Sequence, residues 1–215
     1  MNLLDSRFLA LGDCFAQRFS VAGAFTYRLV LGLALFPNAE ATRGNAYPIE
    51  VKPAAKGGKP AQQNVVVTSS EGSLVADPAS ISIHEGDTVL WYTTDSSVTG
   101  FSVVGGNSSF HFDSTSITGD AYYTHVFGVP GDYPWSDANG STLKGDVKVD
   151  PLPIHTRADS QRFLDAMKKA NVVEVSDKGV HPHKLEIVVG QTVFWHFQKV
   201  PGVTVSVNPQ PLPPG

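Results

Sequence analysis

The sequence predicts an all-β chain built around an antiparallel β-sandwich, and three observations predict it. Short β-branched or alternating runs at residues 65–67, 81–83, 89–92, 103–104, 122–127 and 147–149 follow one another, separated by Gly, Pro, Asp and Ser turns. Glycine (20) and proline (15) are plentiful enough to supply those turns. No strong helical pattern interrupts the runs, which excludes a βαβ alternation. With 17% charged and 41% hydrophobic residues, the composition is globular rather than disordered. The net charge is −4 and no basic stripe exists, so nucleic acid is not an expected partner.

Taken in order, residues 1–41 form an apolar leader, expected to be helical. Leu3, Leu4, Phe8, Leu9, Leu11 and Phe15 give it an amphipathic start, and the apolar stretch 21–36 follows, broken by Arg28. Two readings stand. Ala39-Glu40-Ala41 resembles a small-x-small cleavage site, which makes the leader a secretory signal peptide. Alternatively, residues 19–36 are a membrane anchor, slightly short of the roughly 20 apolar residues a bilayer needs, with Arg28 snorkelling. Both place the rest of the chain outside the cytoplasm. The only cysteine, Cys14, lies in this leader; a buried small side chain is its expected role.

Residues 42–62, with Lys52, Pro53, Lys56, Gly57, Gly58, Lys59 and Pro60, read as an extended tether. Residues 63–150 hold the sandwich domain. Residues 151–171 are a linker with a short helix over 159–170, which puts Phe163, Leu164 and Met167 on one face and Lys168 and Lys169 in the last turn. The pattern then restarts in 172–215. Pro182, Gly190, Thr192, Val193 and Trp195 repeat Pro78, Gly86, Thr88, Val89 and Trp91, each 104 residues later. This second copy ends in a Pro-rich tail and lacks a counterpart of 131–149. It is expected to be a partial repeat, unable to fold alone and completed by the first domain or by a partner.

Two motifs carry a family resemblance. The first is Pro78-x-x-Ile81-x-Ile83-x-x-Gly86-Asp87-Thr88-Val89-x-Trp91. The second is Pro130-Gly131-x-Tyr133, a loop, then Leu143-Lys144-Gly145-x-Val147. Together they resemble the cupredoxin family (plastocyanin- and azurin-like), well over 63–150 and partially over 172–207. The resemblance implies a cupredoxin-like sandwich with a copper site of two His, one Cys and a weak axial Met. The family's first His falls eight residues after the strand Trp, at Thr99. Its Cys, second His and Met fall at Asp137, Gly140 and Leu143. None of the four has the ligand type, and no cysteine follows Cys14. The implied site is therefore degenerate, and no cofactor is expected.

His181 and His183 are the best remaining metal candidates. Two imidazoles at i, i+2 could hold Cu(II) or Zn(II) if a third ligand came from elsewhere; without one they sit in a solvated loop. No Ser-His-Asp order, nucleophile elbow, phosphate-binding Gly loop or metalloprotease motif appears, so no enzyme is expected. By the resemblance, the expected function is a copper-free structural or accessory subunit of a membrane electron-transfer complex, respiratory or photosynthetic. It would sit on the extracytoplasmic (periplasmic) side, attached through its N-terminus, with the other subunits as partners. A metal-binding or electron-transfer protein with non-standard His ligands and a secreted binding module are the alternatives.

Overall fold

A computed structural model describes residues 4–31, 45–54 and 57–207. The first half of the described chain runs β1 (Asp13–Arg18), β2 (Gly23–Leu31), β3 (Ala46–Lys52), β4 (Gln62–Ser70), β5 (Ser73–Asp77), β6 (Ile81–His84), β7 (Thr88–Tyr92) and β8 (Phe101–Gly106). Two short strands follow, β9 (His111–Asp113) and β10 (Ile117–Thr118). The second half runs β11 (Ala121–Val126), β12 (Gly131–Ser136), β13 (Lys144–Asp150), the helix α1 (Arg157–Met167), β14 (Asn171–Ser176), β15 (Gly179–His181), β16 (Lys184–Val188), β17 (Thr192–Gln198) and β18 (Pro201–Val203).

One eight-stranded sheet spans both halves, in the order β15-β14-β17-β11-β1-β7-β4-β5. The order reads the same from either end once β1 is matched to β11, β4 to β14, β5 to β15 and β7 to β17. Register confirms the match. Phe15 lies opposite Trp91 and Trp91 opposite Val65; Tyr123 lies opposite Trp195 and Trp195 opposite Val173. Phe15 and Tyr123 face each other where β1 and β11 pair antiparallel, so a pseudo-twofold axis passes through that pair. The row Val65, Trp91, Phe15, Tyr123, Trp195, Val173 is buried from end to end.

Each half also has its own smaller sheet, β6-β3-β2-β8-β9 in the first unit and β16-β13-β12 in the second. Aromatic side chains join these to the shared sheet. Tyr27 of β2 meets Trp91 edge-on at 5.3 Å, and its equivalent Trp135 of β12 meets Trp195 at 6.1 Å. One continuous hydrophobic core fills the space between the layers in both units.

This architecture is all-β and sandwich-like, as the strand pattern predicts, but it reassigns three segments. The apolar leader is not a helix over its described part. Residues 13–18 and 23–31 are the strands β1 and β2, and β1 lies at the centre of the large sheet. The physical reason is a period of two: Phe25, Tyr27 and Leu29 are buried while Ala24, Thr26 and Arg28 alternate with them on the more exposed side. Residues 32–41 lie outside the described residues. No helix among the described residues is long and apolar enough to cross a membrane.

The expected tether is also partly strand, since 46–52 is β3, paired with β2 and parallel to β6. The partial repeat, finally, is not partial. Residues 121–150 belong with it: β11 pairs β17, and β13 pairs β16 in parallel. The helix forms at Arg157–Met167, two residues earlier than expected at its start, because Thr156 and Asp159 make a reciprocal capping box. It ends at Met167, so Lys168 caps it and no base lies in its last turn. Phe163 and Met167 approach Gly190, and the Gln191 side-chain amide donates to the Ala166 carbonyl at 2.6 Å.

Candidate functional site

Asp137, Gly140 and Leu143 share the loop between β12 and β13. The Asp137 N–H donates to the Leu143 carbonyl at 3.0 Å, and the Gly140 N–H donates to the Asp137 carbonyl at 3.4 Å. Asp137 is only 5% exposed, and its carboxylate is bonded on several sides. It accepts from the N–H groups of Asn139 (3.0 Å), Ser141 (3.1 Å) and Thr204 (2.9 Å), and from the Thr204 hydroxyl (3.1 Å). The Asn139 side-chain amide adds bonds to the Gly202 carbonyl and the Ser116 hydroxyl, both at 3.2 Å. Burial pushes the Asp137 carboxyl up, but the donors from Thr204, Ser141 and Asn139 outweigh it and hold the group below its ordinary value.

Thr99 is not part of this arrangement. It is exposed, in the turn before β8, and bonds to none of the three. The 137–143 loop is closed instead by Thr204, which follows Val203, the residue eight after Trp195. The resemblance pairs that loop with a position after Trp91; the fold closes it with Thr204, just past β18. One carboxylate thus acts as a staple, drawing four donors onto itself.

His181 and His183 do not converge on a ligand set. Both are exposed. His181 sits opposite Glu174 across the β14–β15 pair, and His183 Nδ1 is 4.0 Å from Asp146 Oδ2. Among the described residues, no three His, Cys, Asp or Glu side chains are grouped to hold a metal ion.

Two polar clusters escaped the sequence pattern. At one end of the β1–β11 pair, the buried Asp13 carboxylate accepts from the Tyr123 hydroxyl (3.1 Å) and the Ala10 N–H (3.0 Å), and lies 2.6 Å from His125 Nδ1. Burial raises the Asp13 carboxyl above its ordinary value, with the His125 contacts opposing it, and burial also drives the Tyr123 hydroxyl well up. The second cluster stands on the outer face of the large sheet. There His196 stacks flat on Tyr122 at 4.2 Å and reaches Glu174 through Nδ1 (2.8 Å) and Asp120 through Nε2 (3.2 Å). Arg18 completes it, 3.2 Å from Asp120. No motif marks either cluster, because each draws its members from several strands, Asp13 to His125 in the first and Arg18 to His196 in the second.

Neither cluster holds a nucleophile beside a base. Cys14 lies on the outer face, whereas Asp13 and His125 are buried on the inner one. Burial raises the Cys14 thiol above its ordinary value, which lowers its thiolate fraction. No protein-family model, no curated protein sequence and no solved structure matches the chain.

Proposed function

We propose that this chain is a non-catalytic, copper-free relative of the cupredoxins, acting as a structural or accessory subunit. The reading is supported above all by Asp137. It stands where the resemblance puts the copper thiolate, and its carboxylate is fully engaged in holding its own loop to Thr204. A buried carboxylate with four donors is a poor place to admit a metal, since binding would require those bonds to be exchanged. The setting proposed is the extracytoplasmic face of a membrane electron-transfer complex, respiratory or photosynthetic, where a rigid β platform presents surfaces to its neighbours. Attachment through an apolar N-terminal helix is not part of the proposal, because β1 and β2 occupy those residues.

The test is metal loading of the intact protein. After addition of Cu(II) and desalting, the expected result is less than stoichiometric copper and no intense thiolate-to-copper absorption. Stoichiometric copper or zinc that is lost in a His181→Ala, His183→Ala double variant would replace this reading with the metal-binding one. Recovery of the protein from detergent-solubilised membranes, with mass spectrometry of what accompanies it, tests the subunit role.

A further inference from the structure

The outer face of the eight-stranded sheet is wide and has an uncharged row of side chains across its centre. Directly paired residues share a face, so the register defines a row across six strands: Val172, Phe194, Thr124, Cys14, Tyr92 and Val66. No member of this row carries a charge. Phe194 and Val172 are each 36% exposed. Beside Phe194 lies a depression of about 330 Å³ over Cys14 and Thr124, walled by Leu90, Tyr92 and Val126.

We propose that this face is a self-association surface, on which a second copy of the chain packs sheet against sheet. Three features favour a second copy over a different partner. First, Phe194 is a partly exposed side chain on the border of a depression. An isologous twofold contact uses that arrangement, each copy's knob entering the other's hollow. Second, the charged groups at one end of the face are already engaged with one another within the chain. Arg18 pairs with Asp120, and His196 lies between Asp120 and Glu174. A strongly acidic or basic partner therefore finds these groups already in contact with one another, whereas a second copy needs no such charge to pack against the uncharged row. Third, the size is right for a reversible dimer. Six strands about 4.8 Å apart and about five residues at 3.3 Å give roughly 500 Å² per copy, or about 1,000 Å² in all. That is at the lower bound for a specific interface. The contact does not depend on the fate of the copper site.

Sedimentation velocity of the full chain from about 1 to 200 µM should show a monomer–dimer equilibrium. Phe194→Asp, a surface change, should weaken it at least tenfold with the circular dichroism and melting temperature unchanged, while Leu164→Asp on α1 should leave it intact. In the unmodified protein, alkylation of Cys14, the only thiol, should slow at least fivefold as concentration rises through the dimer range. A protein that stays monomeric to 200 µM overturns the proposal and leaves the face to a partner of another kind. So does a dimer in which Cys14 reacts at the monomer's rate, a measurement that decides the matter even if Phe194→Asp fails to fold.

Discussion

The two units solve the same packing problem with different side chains. In the first, Tyr27 of β2 stacks on Tyr47 of β3 at 5.2 Å. At the corresponding pair in the second, Trp135 lies opposite Gly145. A side chain grown on Gly145 would meet the Trp135 indole nitrogen and the His183 carbonyl, each at 3.0 Å. The larger ring on one strand is thus accommodated by removing the side chain on the other, which conserves volume across the pair. The sheets differ more. β2 is paired on both sides, by β3 and β8. β12 is paired along its length only by β13, with a single bridge from Ser136 to Ser206 on the other side. Pro134 sits on that open side, in the place of Thr26, which faces Gly106 in the first unit. Proline there withholds an N–H from an unpaired edge. Equivalence therefore governs the core, and the edges are free to diverge.

The largest expected effect tests whether the units are energetically one body. Trp91→Ala and Trp195→Ala should each cost about 3–5 kcal/mol. Because both tryptophans lie in one buried row of one sheet, either change should shift a single cooperative denaturant transition. Two separable transitions would break the comparison into two independent domains.

Next come the two ends of the β1–β11 ribbon. Asp13→Ala should cost about 3 kcal/mol, since it strands His125 and Tyr123 in the core. At the other end Gln17, which the pseudo-twofold relates to His125, donates from its side chain to the Arg18 and Asp120 carbonyls and should cost about 1 kcal/mol as Gln17→Ala. Equal losses would show that the buried knot adds nothing special.

Asp13 and Asp137 should also respond oppositely to pH. Asp13 is raised in the fold, so its contribution is full below its ordinary 3.8 and is lost as pH rises through the folded value. Asp137 is lowered, so its contribution is present above 3.8 and is lost as pH falls through the folded value. Asp137→Asn should cost about 1.5–3 kcal/mol at neutral pH and flatten the acid limb of the stability profile. An unchanged acid limb in chemical denaturation would show that the staple is not ionised.

Smaller effects sharpen the edge and core contrasts. Gly145→Ala should destabilise by about 1–2 kcal/mol through overpacking against Trp135, read as a lowered denaturant midpoint. Pro134→Thr should change stability by only about 0.5 kcal/mol. It should nevertheless raise light scattering on storage, because it returns a donor to the exposed edge of β12.

Much of the β pattern after residue 63 is legible in the sequence, and so is the repeat that pairs Trp91 with Trp195. The first strands were hidden by two physical facts. An alternating strand that is buried on one face and half-covered on the other, as at Phe25 to Val30, has nearly the hydropathy of a leader. The repeat also changes spacing. Trp91 and Trp195 are 104 residues apart, but Phe15 and Tyr123, like Val65 and Val173, are 108 apart. The difference arises in the β4–β5 hairpin, where Ala76 is nine positions after Val67 but the equivalent Val180 is only five after Val175. A fixed offset of 104 therefore ends at that hairpin, and the likeness of Gly23, Phe25 and Tyr27 to Gly131, Tyr133 and Trp135 lies beyond it. Of the site, the missing ligands at Asp137, Gly140 and Leu143 were readable as residue types. Their closure by Thr204 was not, because the contact spans 67 positions. His125 and His196 give no local signal, since their partners are set by strand order alone.

The seam between β1 and β11 also sets an order of events. β1 lies between β7 and β11, so neither of its edges can be paired until the chain has been made beyond residue 92 on one side and 126 on the other. The segment before it is fastened later still: the Ser206 hydroxyl donates to Asp5 across 201 positions, and Ser6 donates its N–H to the Val205 carbonyl. These residues are thus made well before their partners and are among the last to find their place. Such distant closure makes folding slow, and it leaves Phe15, Phe19 and Phe25 uncovered for most of synthesis, when an aggregation-prone intermediate is most in need of a chaperone.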